Sequence, residues 1–264
     1  MNNFKINGIS VTDYEGKGKP LIFVHAYPLC SRMWDIQVDF FKDKYRVITY
    51  DVRGLGYSNE LDDYQFTMEE LVNDFFSILD HMKINKVNAC GLSMGGYILL
   101  RATVRDQSRF SSIILADTKA TGDDNEGLLN RASAIIKIKA GQKDEFLLGF
   151  LKKLLSEKGF QDEKIKNFVS MMMGWMDVRG LVATMIAIAT RTSTFFQLKD
   201  LNIPALVIAG RKDAVLKVTD SFFIKENIKN SVFKVIHDAG HLSNIEKPEE
   251  FNISMEDFLS NLKN

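Results

Sequence analysis

A serine lies between glycines in the stretch Gly91-Leu92-Ser93-Met94-Gly95-Gly96. The apolar run of residues 86–90 before it predicts a buried strand, and residues 97–104 after it predict a helix. A Gly-x-Ser-x-Gly turn between strand and helix lifts the serine hydroxyl clear of the sheet, where it can attack a substrate. The helix amino terminus also directs the Met94 N–H towards negative charge that develops beside Ser93. The stretch therefore predicts a nucleophile, and the alternative is a tight turn with an idle serine.

A serine hydroxyl needs a neighbouring base to take its proton, and histidine has the suitable pKa. Of the four histidines, His241 follows the last predicted strand, at the sheet edge that carries Ser93, and we predict that it is the base. We expect His25 to position the turn after an early strand. We expect His81 to lie at the end of a surface helix and His237 to point into the packing at a strand end.

An acidic residue must orient the histidine by reaching the far ring nitrogen of His241. Asp213 and Asp117 both follow strands that end at the same sheet edge, so both are candidates. Asp213 is favoured because its strand neighbours the strand that leads to His241. The predicted catalytic residues then occur along the chain in the order Ser93, Asp213, His241.

Short apolar runs alternate with helical patterns, which predicts an α/β fold with a mostly parallel, roughly eight-stranded sheet and helices on both faces. A hairpin around Asn7-Gly8 begins the chain. The later strands are predicted at residues 20–25, 46–50, 86–90, 112–116, 204–210 and 232–236. The best-signalled helix runs from Met68 to Met82, because Thr67 and Glu70 form a capping box before it.

From about residue 121 to residue 194 the alternation stops, and helical patterns follow one another without a strand. This predicts a helical cap at 121–194, inserted into a core made of residues 1–120 and 195–264. The first of four apolar stripes in the cap comprises Leu128, Leu129, Ala132, Ile135 and Ile136. Five methionines crowd into the cap, either as an adjustable pocket wall or as ordinary helix packing. They are Met171, Met172, Met173, Met176 and Met185.

The composition narrows the classes of function. The 264 residues include 34 Lys and Arg against 34 Asp and Glu, so no basic surplus suggests nucleic acid or an anionic membrane as a partner. The first ten residues do not resemble a secretory leader, and we expect a cytoplasmic protein. Cys30 and Cys90 are expected to be buried thiols in a reducing compartment, not a disulfide or a metal site.

Four motifs carry a resemblance to a known family: Val-His-Ala-Tyr-Pro-Leu at 24–29, Asp-Val-Arg-Gly at 51–54, Leu-Ser-Met-Gly-Gly at 92–96 and Leu-Ala-Asp-Thr at 115–118. Together with the order of the catalytic residues, they make the chain similar to the α/β-hydrolase superfamily, in the branch with a four-helix cap after the sixth strand. Within this branch the chain resembles 3-oxoadipate enol-lactonases and the related small aryl esterases and cofactor-free haloperoxidases. The superfamily resemblance covers nearly all of the chain and is the more specific of the two.

The resemblance implies an oxyanion hole formed by the backbone N–H groups of Met94 and Tyr27. Each donor of this kind contributes roughly 3 kcal/mol in the transition state. The family usually has His-Gly where this chain has His25-Ala26, and a Cβ at position 26 could shift the Tyr27 amide. The familiar Arg-Gly-His-Gly turn is replaced by the sequence at 53–56, which we interpret as structural.

These residues predict a metal-free serine hydrolase that needs no cofactor and cleaves a small carboxylic ester or lactone through an acyl-enzyme. Serine at this turn argues against haloalkane dehalogenases and epoxide hydrolases, where the resemblance would require an aspartate. Carbon–carbon bond hydrolases and perhydrolases share the same residues. A ligand sensor with slow hydrolysis and a scaffold with unused catalytic residues are the remaining alternatives.

The sequence says less about the substrate than about the type of reaction. Leu29 and Trp175, with Tyr27 and Met94, predict an apolar lining that suits small acyl groups. A substrate with a carboxylate tail would need a cation in the pocket. The candidate cations are Arg53, Arg131, Arg179 and Arg191. We expect a small-molecule partner and a monomer or homodimer.

Overall fold

A computed structural model describes residues 1–61 and 63–262 of the chain. Eight strands form one sheet in this part of the chain, in the order β1-β2-β4-β3-β5-β6-β7-β8. The strands are β1 (Asn2–Ile6), β2 (Ile9–Asp13), β3 (Pro20–Val24), β4 (Arg46–Tyr50), β5 (Val87–Leu92), β6 (Phe110–Ala116), β7 (Ala205–Gly210) and β8 (Ser231–Ile236). Strands β3 to β8 run parallel, whereas β1 and β2 are antiparallel. The predicted fold class is confirmed.

The antiparallel pair at the start of the sheet is the hairpin that Asn7-Gly8 predicts. Both turn residues have positive φ, 50° at Asn7 and 83° at Gly8, and Ile6 pairs with Ile9 across the turn. A two-residue turn of this hand matches the twist of the strands it joins. The hairpin therefore adds two strands without a crossover helix.

Helices join the parallel strands. They are α1 (Asp35–Phe41), α2 (Met68–His81), α3 (Met94–Arg105), α4 (Asn125–Lys139), α5 (Lys143–Leu154), α6 (Glu157–Gln161), α7 (Glu163–Gly174), α8 (Val178–Ala189), α9 (Val218–Asn227), α10 (Ser243–Glu246) and α11 (Pro248–Ser260). Helix α2 begins with the predicted capping box, in which the Thr67 N–H donates to Glu70 Oε2 at 2.7 Å. This bond satisfies one of the amide groups that a helix start leaves without an internal partner.

Five consecutive helices, α4 to α8, lie between β6 and β7 with no described strand among them. The resemblance implies four, and the additional helix is the five-residue α6. Its start is set by Ser156, whose hydroxyl accepts a hydrogen bond from the Gly159 N–H at 3.0 Å. We refer to residues 121–194 as the cap.

Most of the apolar stripe predicted for the first cap helix is exposed, and of its members only Ile135 packs against the core among the described residues. Leu129 and Ile136 are 69% and 68% exposed, whereas Ile138 is buried. Arg131 and Ala134 on α4 instead line a cavity. The expectation that these apolar residues mark the inward face of α4 was wrong. A helix face that borders a cavity can carry small and charged residues, and apolar spacing does not detect such a face.

The carboxyl ends of the parallel strands meet at one edge of the sheet, where open α/β sheets hold their ligands. The chain leaves this edge through His25 after β3, Ser93 after β5 and Asp117 after β6. Asp213 follows β7 and His241 follows β8. The fold thus gathers five chemically versatile side chains from the ends of five different strands.

No single helix in the described part of the chain is long and apolar enough to cross a bilayer. Helices α7 and α8 meet the criterion only as a pair, and they are bent by 96° relative to each other.

Candidate active site

Ser93 lies at a sharp bend between β5 and α3. Its backbone has φ 54° and ψ −111°, a strained conformation for a residue with a side chain. The bend is tight because Gly95 packs directly on the end of the neighbouring strand β3, where an added Cβ would lie 2.1 Å from the Val24 carbonyl oxygen. The Ser93 carbonyl accepts a hydrogen bond from Thr118 Oγ1 at 2.8 Å, and the Ser93 N–H donates to the Ala116 carbonyl at 2.9 Å. These contacts hold the serine in the strained conformation that Gly-x-Ser-x-Gly predicts.

Asp213 and His241 form a buried pair. Asp213 Oδ2 lies 2.6 Å from His241 Nδ1, and both side chains are at most 4% exposed. The other carboxylate oxygen, Oδ1, accepts hydrogen bonds from the Val215 and Leu216 N–H groups at 2.7 and 2.9 Å. These amides set the direction of the carboxylate, so that Oδ2 holds the proton of Nδ1 and leaves Nε2 as the basic nitrogen.

The pKa of His241 reflects this pairing. Burial lowers the pKa of the imidazole, but the charge and hydrogen bond of Asp213, together with the charges of Asp117 and Glu246, raise it, and the pKa lies above its ordinary value. The carboxylate therefore stabilises the imidazolium that forms when the ring accepts a proton.

Ser93 Oγ and His241 do not form a hydrogen bond in the part of the chain that the structure describes. The structure thus brings Asp213 and His241 together and places Ser93 on the same edge of the sheet. Catalytic hydrogen bonds of this kind often tighten only in the substrate complex.

Asp117, the other candidate acid, has both carboxylate oxygens occupied. Oδ1 accepts from the Gly210 N–H at 2.6 Å, and Oδ2 accepts from Ser243 Oγ at 2.5 Å. Burial raises the pKa of Asp117, and the charge of Asp213 raises it further. Asp117 thus ties the end of β6 to β7 and to α10, and the hydrogen bond to His241 belongs to Asp213.

Two backbone N–H groups near Ser93, those of Tyr27 and Met94, are the donors that the resemblance implies for an oxyanion hole. Among residues 1–61 and 63–262, neither the Tyr27 N–H nor the Met94 N–H donates a hydrogen bond. Buried amides are nearly always paired, so two free donors on neighbouring turns are typical of an anion site. The Ala26 N–H, next to Tyr27, donates to Met33 Sδ at 3.2 Å, which anchors the residue that replaces the family's usual glycine.

The other three histidines do not contact Ser93 or Asp213 among the described residues. His25 is buried, and its Nε2 accepts the Val52 N–H at 2.7 Å while Nδ1 lies 2.9 Å from the Ala26 carbonyl oxygen. Burial lowers the pKa of His25, so the neutral ring braces the turn, as predicted. His81 is exposed on α2, also as predicted. His237 is exposed, so the expectation that it points into the packing was wrong, because the chain turns outward at the end of edge strand β8.

A cavity of about 280 Å³ opens beside Ser93 between core and cap. Its apolar lining includes Phe146 and Phe150 from α5 and Met185 from α8, so Met185 is the one cap methionine that lines it among the described residues. Polar lining comes from Tyr27 and Tyr97 in the core and from a group of charged residues in the cap and just before it. These are Lys119, Asp123, Arg131 and Lys153.

The two residues predicted to bind substrate lie elsewhere. Leu29 is fully buried, and Trp175 is 45% exposed. Neither lines the cavity at Ser93 within the described residues. The Trp175 ring instead faces the guanidinium of Arg32, 5.6 Å from its centroid, where cap and core meet.

The four candidate arginines lie in different places in the structure. Arg131 lines the cavity. Arg191 does not line the cavity but forms an ion pair with Asp123, which does. Arg53 forms an ion pair with Asp74 at 2.6 Å, and Arg179 lies over the Tyr64 ring on the cap surface. The cavity therefore has a cation of the kind that a carboxylate tail would require.

A family model described as the alpha/beta hydrolase fold matches residues 19–248, which include the bend at Ser93 and the Asp213–His241 pair. The chain belongs to this α/β-hydrolase family.

Relatives of this α/β-hydrolase include enzymes of known name. It is 30% identical over 259 residues to 3-oxoadipate enol-lactonase 1 of Acinetobacter baylyi, covering 94% of this chain and 95% of the relative. A thermophilic esterase from Thermogutta terrifontis has the same fold with a TM-score of 0.93 and 28% identity over the full length of both chains. The enol-lactonase of Burkholderia xenovorans superimposes with a TM-score of 0.89 at 24% identity, covering 98% of this chain and 100% of that one.

Sequence reasoning missed one residue beside the catalytic loop of this α/β-hydrolase. Glu246 Oε1 accepts the Gly240 N–H at 2.8 Å, and Oε2 accepts the N–H and hydroxyl of Ser156 in the cap. The only signal was the spacing of Glu246, five residues after His241, and its cap partner lies 90 residues away. Among the described residues, no group of three or more His, Cys, Asp or Glu could hold a metal ion.

Proposed function

We propose that the protein is a serine hydrolase that cleaves small carboxylic esters or lactones through an acyl-enzyme. The observation that carries the proposal is the buried Asp213–His241 hydrogen bond at the sheet edge that presents Ser93. Held by Asp213, the imidazole has Nε2 as its free base and a pKa raised by the carboxylate, which suits a group that must accept and return a proton.

In the proposed reaction, Ser93 Oγ attacks the carbonyl carbon while His241 Nε2 takes the hydroxyl proton. The oxygen of the tetrahedral intermediate receives hydrogen bonds from the Tyr27 and Met94 N–H groups. His241 then gives its proton to the leaving oxygen as the acyl-enzyme forms. A water molecule that has lost a proton to His241 attacks the acyl-enzyme, releases the acid and restores Ser93.

The substrate class is supported by the comparisons and by the cavity. Relatives with the names enol-lactonase and esterase share the whole length of the chain, and a cavity of about 280 Å³ suits short acyl groups. The proposed partner is a small molecule, the reaction needs no cofactor, and the proposed assembly is a monomer or homodimer.

The nucleophile is tested with p-nitrophenyl acetate. We expect steady multiple turnover by the wild type and a loss of roughly 10⁴ to 10⁶ in kcat for Ser93→Ala, the range found when such a serine is removed. Ser260→Ala, at the exposed end of α11, is the control and should match the wild type. A fluorophosphonate should add one mass label to the wild type and none to Ser93→Ala. Equal turnover by wild type and Ser93→Ala would contradict the proposal.

Substrate choice is tested with acetate, butyrate and hexanoate esters together with 3-oxoadipate enol-lactone. A lactone that is turned over much faster than every ester assigns the protein as a lactonase, and a lactone no better than p-nitrophenyl acetate assigns it as an esterase. Very slow turnover of all of them, with a ligand-dependent change in the cap, would instead favour the sensor function.

A further inference from the structure

Helix α4 carries large apolar side chains that remain exposed in the described part of the chain. Leu129 and Ile136 are 69% and 68% exposed and lie about two helical turns apart. Ala132 and Ser133 lie between them on the same side of the helix and are also exposed. We refer to these four residues as the outward face of α4. Single exposed apolar residues are common, but apolar residues that recur along one side of a helix are typical of a contact surface.

The outward face is separate from the cavity at Ser93. Four other residues of α4 line that cavity, and no residue of the outward face is among its described lining. The four lining residues are Gly127, Asn130, Arg131 and Ala134. A partner bound to the outward face would therefore lie on the far side of the cavity wall and leave the lining free for substrate.

The outward face has the same arrangement of residue sizes in both directions along the helix. Leu129 and Ile136 lie at equal distances, about 5 Å along the axis, from a midpoint between residues 132 and 133. If two copies of α4 pack antiparallel about a twofold axis at this midpoint, Leu129 of each copy lies opposite Ile136 of the other. The small side chains of Ala132 and Ser133 lie next to the axis, where they allow the two helices to approach closely.

The charges at the two ends of α4 fit the same arrangement. Glu126 lies in the first turn, and Lys137 and Lys139 lie in the last turn. None of the three forms an ion pair among the described residues. Such charges also suit the dipole of a single helix, so they do not identify a partner by themselves.

The direction of packing decides what these charges meet. At 100° per residue, Glu126 and Lys137 lie on the same flank of the outward face. In an antiparallel pair, Glu126 of each copy therefore faces Lys137 of the other, whereas a parallel pair would place two Glu126 side chains together. Opposite charges across an interface fix its register and orientation. The outward face is thus complementary to itself in shape and in charge.

We propose that the protein forms a homodimer in which two copies of α4 pack antiparallel through their outward faces. Helix α4 has 15 residues and is about 22 Å long. One pair of such helices buries less than the roughly 1,600 Å² of a typical stable interface. We therefore expect a dissociation constant in the micromolar range, roughly 1–100 μM. The inference goes beyond the proposed reaction and does not depend on it, because association is measured without turnover.

Sedimentation velocity over a range of protein concentrations that spans this dissociation constant tests the proposal. We expect the wild type to shift from one chain to two as its concentration rises. Ile136→Gln should weaken association by roughly 10- to 100-fold, because each dimer loses two buried isoleucine side chains. Ile253→Gln is the matched control, since Ile253 is 47% exposed on α11 of the core, and it should associate as the wild type does.

An exchange of charges tests the antiparallel packing. Glu126→Lys and Lys137→Glu should each weaken association by roughly 3- to 10-fold, because each places like charges together at both ends of the contact. The two changes in one chain should restore association to within about 2-fold of the wild type. Residues 126 and 137 lie about 16 Å apart along one helix, too far to contact each other. Such a restoration therefore requires contact between two copies.

A wild type that remains a single chain at every concentration would overturn the proposal. A dimer that Ile136→Gln leaves unchanged would overturn it too, because another surface would then form the contact. Failure of the double charge exchange to restore association would contradict the antiparallel packing. A lipid surface is the competing occupant, and it is tested by flotation with phosphatidylglycerol vesicles. Vesicle binding by a monomeric wild type that Ile136→Gln abolishes would assign the outward face to lipid and overturn the dimer.

Discussion

The catalytic base that we propose, His241, is buried, and the groups around it decide its proton affinity. Burial lowers the pKa of His241, and the Asp213 carboxylate at 2.6 Å is the largest of the groups that raise it. Asp213 can raise this pKa because the Val215 and Leu216 amides occupy its other oxygen and hold it in place. The pH dependence of activity should therefore depend most strongly on Asp213, with smaller contributions from Asp117 and Glu246.

Asp213→Asn tests this dependence. Removing the negative charge removes the main stabilisation of the imidazolium, so the pKa of His241 should fall and the acid limb of kcat/KM should move to lower pH. In addition, kcat should fall by about 10⁴-fold, because the asparagine side chain would favour the tautomer of His241 whose Nε2 carries the proton and cannot act as the base. The measurement is a pH profile of kcat/KM with a neutral ester.

Asp238→Asn is the matched control, because Asp238 lies three residues before His241 but its side chain is 54% exposed. It should leave both the acid limb and kcat unchanged. An acid limb that stays in place in Asp213→Asn would show that another group controls the titration.

At the scale of the elements, the cap helps to position the base as well as to cover the cavity. The His241 and Leu242 N–H groups both donate to the Leu154 carbonyl at the end of α5, at 3.0 and 3.2 Å. Glu246 then joins the loop at Gly240 to Ser156, at the start of α6. The loop that carries the base is thus bound to the cap on both sides of His241.

Gly159→Ala should disturb this connection. An added Cβ at Gly159 would lie 2.2 Å from Glu246 Oε2, so the carboxylate must move away from Ser156. We expect a loss of about 1–3 kcal/mol in the free energy of unfolding, as for other overpacked sites, together with a lower kcat. Urea unfolding and turnover of a short ester measure the two effects.

Gly149→Ala provides the comparison, since an added Cβ in the middle of α5 meets nothing within 4 Å. It should raise stability by up to about 1 kcal/mol through helix propensity and leave kcat unchanged. If both variants behaved alike, the Glu246 contact would have no measurable part in positioning the base loop.

Sequence predicted the local elements better than it predicted the contacts of the reactive residues. The hairpin at Asn7-Gly8, the capping box at Thr67 and the bend at Ser93 depend on neighbouring residues, and the structure has all three. Strand order favoured Asp213 over Asp117, but only the structure shows that Gly210 and Ser243 occupy both oxygens of Asp117.

Tertiary contacts explain what sequence could not predict. The stripe on α4 failed because the inward face of the helix borders a cavity and includes Arg131. Four arginines were equal candidates in sequence, and only their positions in the structure separate them, since Arg131 alone of the four lines the cavity among the described residues. Glu246 had no signal because its partner Ser156 lies 90 residues away in the cap.

At the scale of the whole molecule, the cap contacts the core at a second place, away from the base loop. Gly180, in the first turn of α8, packs against Gly54 in the turn after β4, and Met176 Sδ lies 3.5 Å from the Gly56 N–H. Arg32 on the core faces Trp175 on the cap nearby. The cap is therefore held to the core through α8 as well as through Ser156 and Glu246.

Gly180→Ala should weaken this second contact. An added Cβ would lie 1.8 Å from the Gly54 carbonyl oxygen, a backbone atom that cannot rotate away as the end of a side chain can. The start of α8 must then lift from the core, and since Met185 on the same helix lines the cavity, the cavity should change shape. We expect a lower melting temperature and a KM that rises more than kcat falls, because the base loop keeps its own contacts. Gly174→Ala, whose added Cβ meets nothing within 4 Å at the end of α7, should leave KM unchanged. A fall in kcat at constant KM in Gly180→Ala would show instead that α8 and the base loop move as one unit.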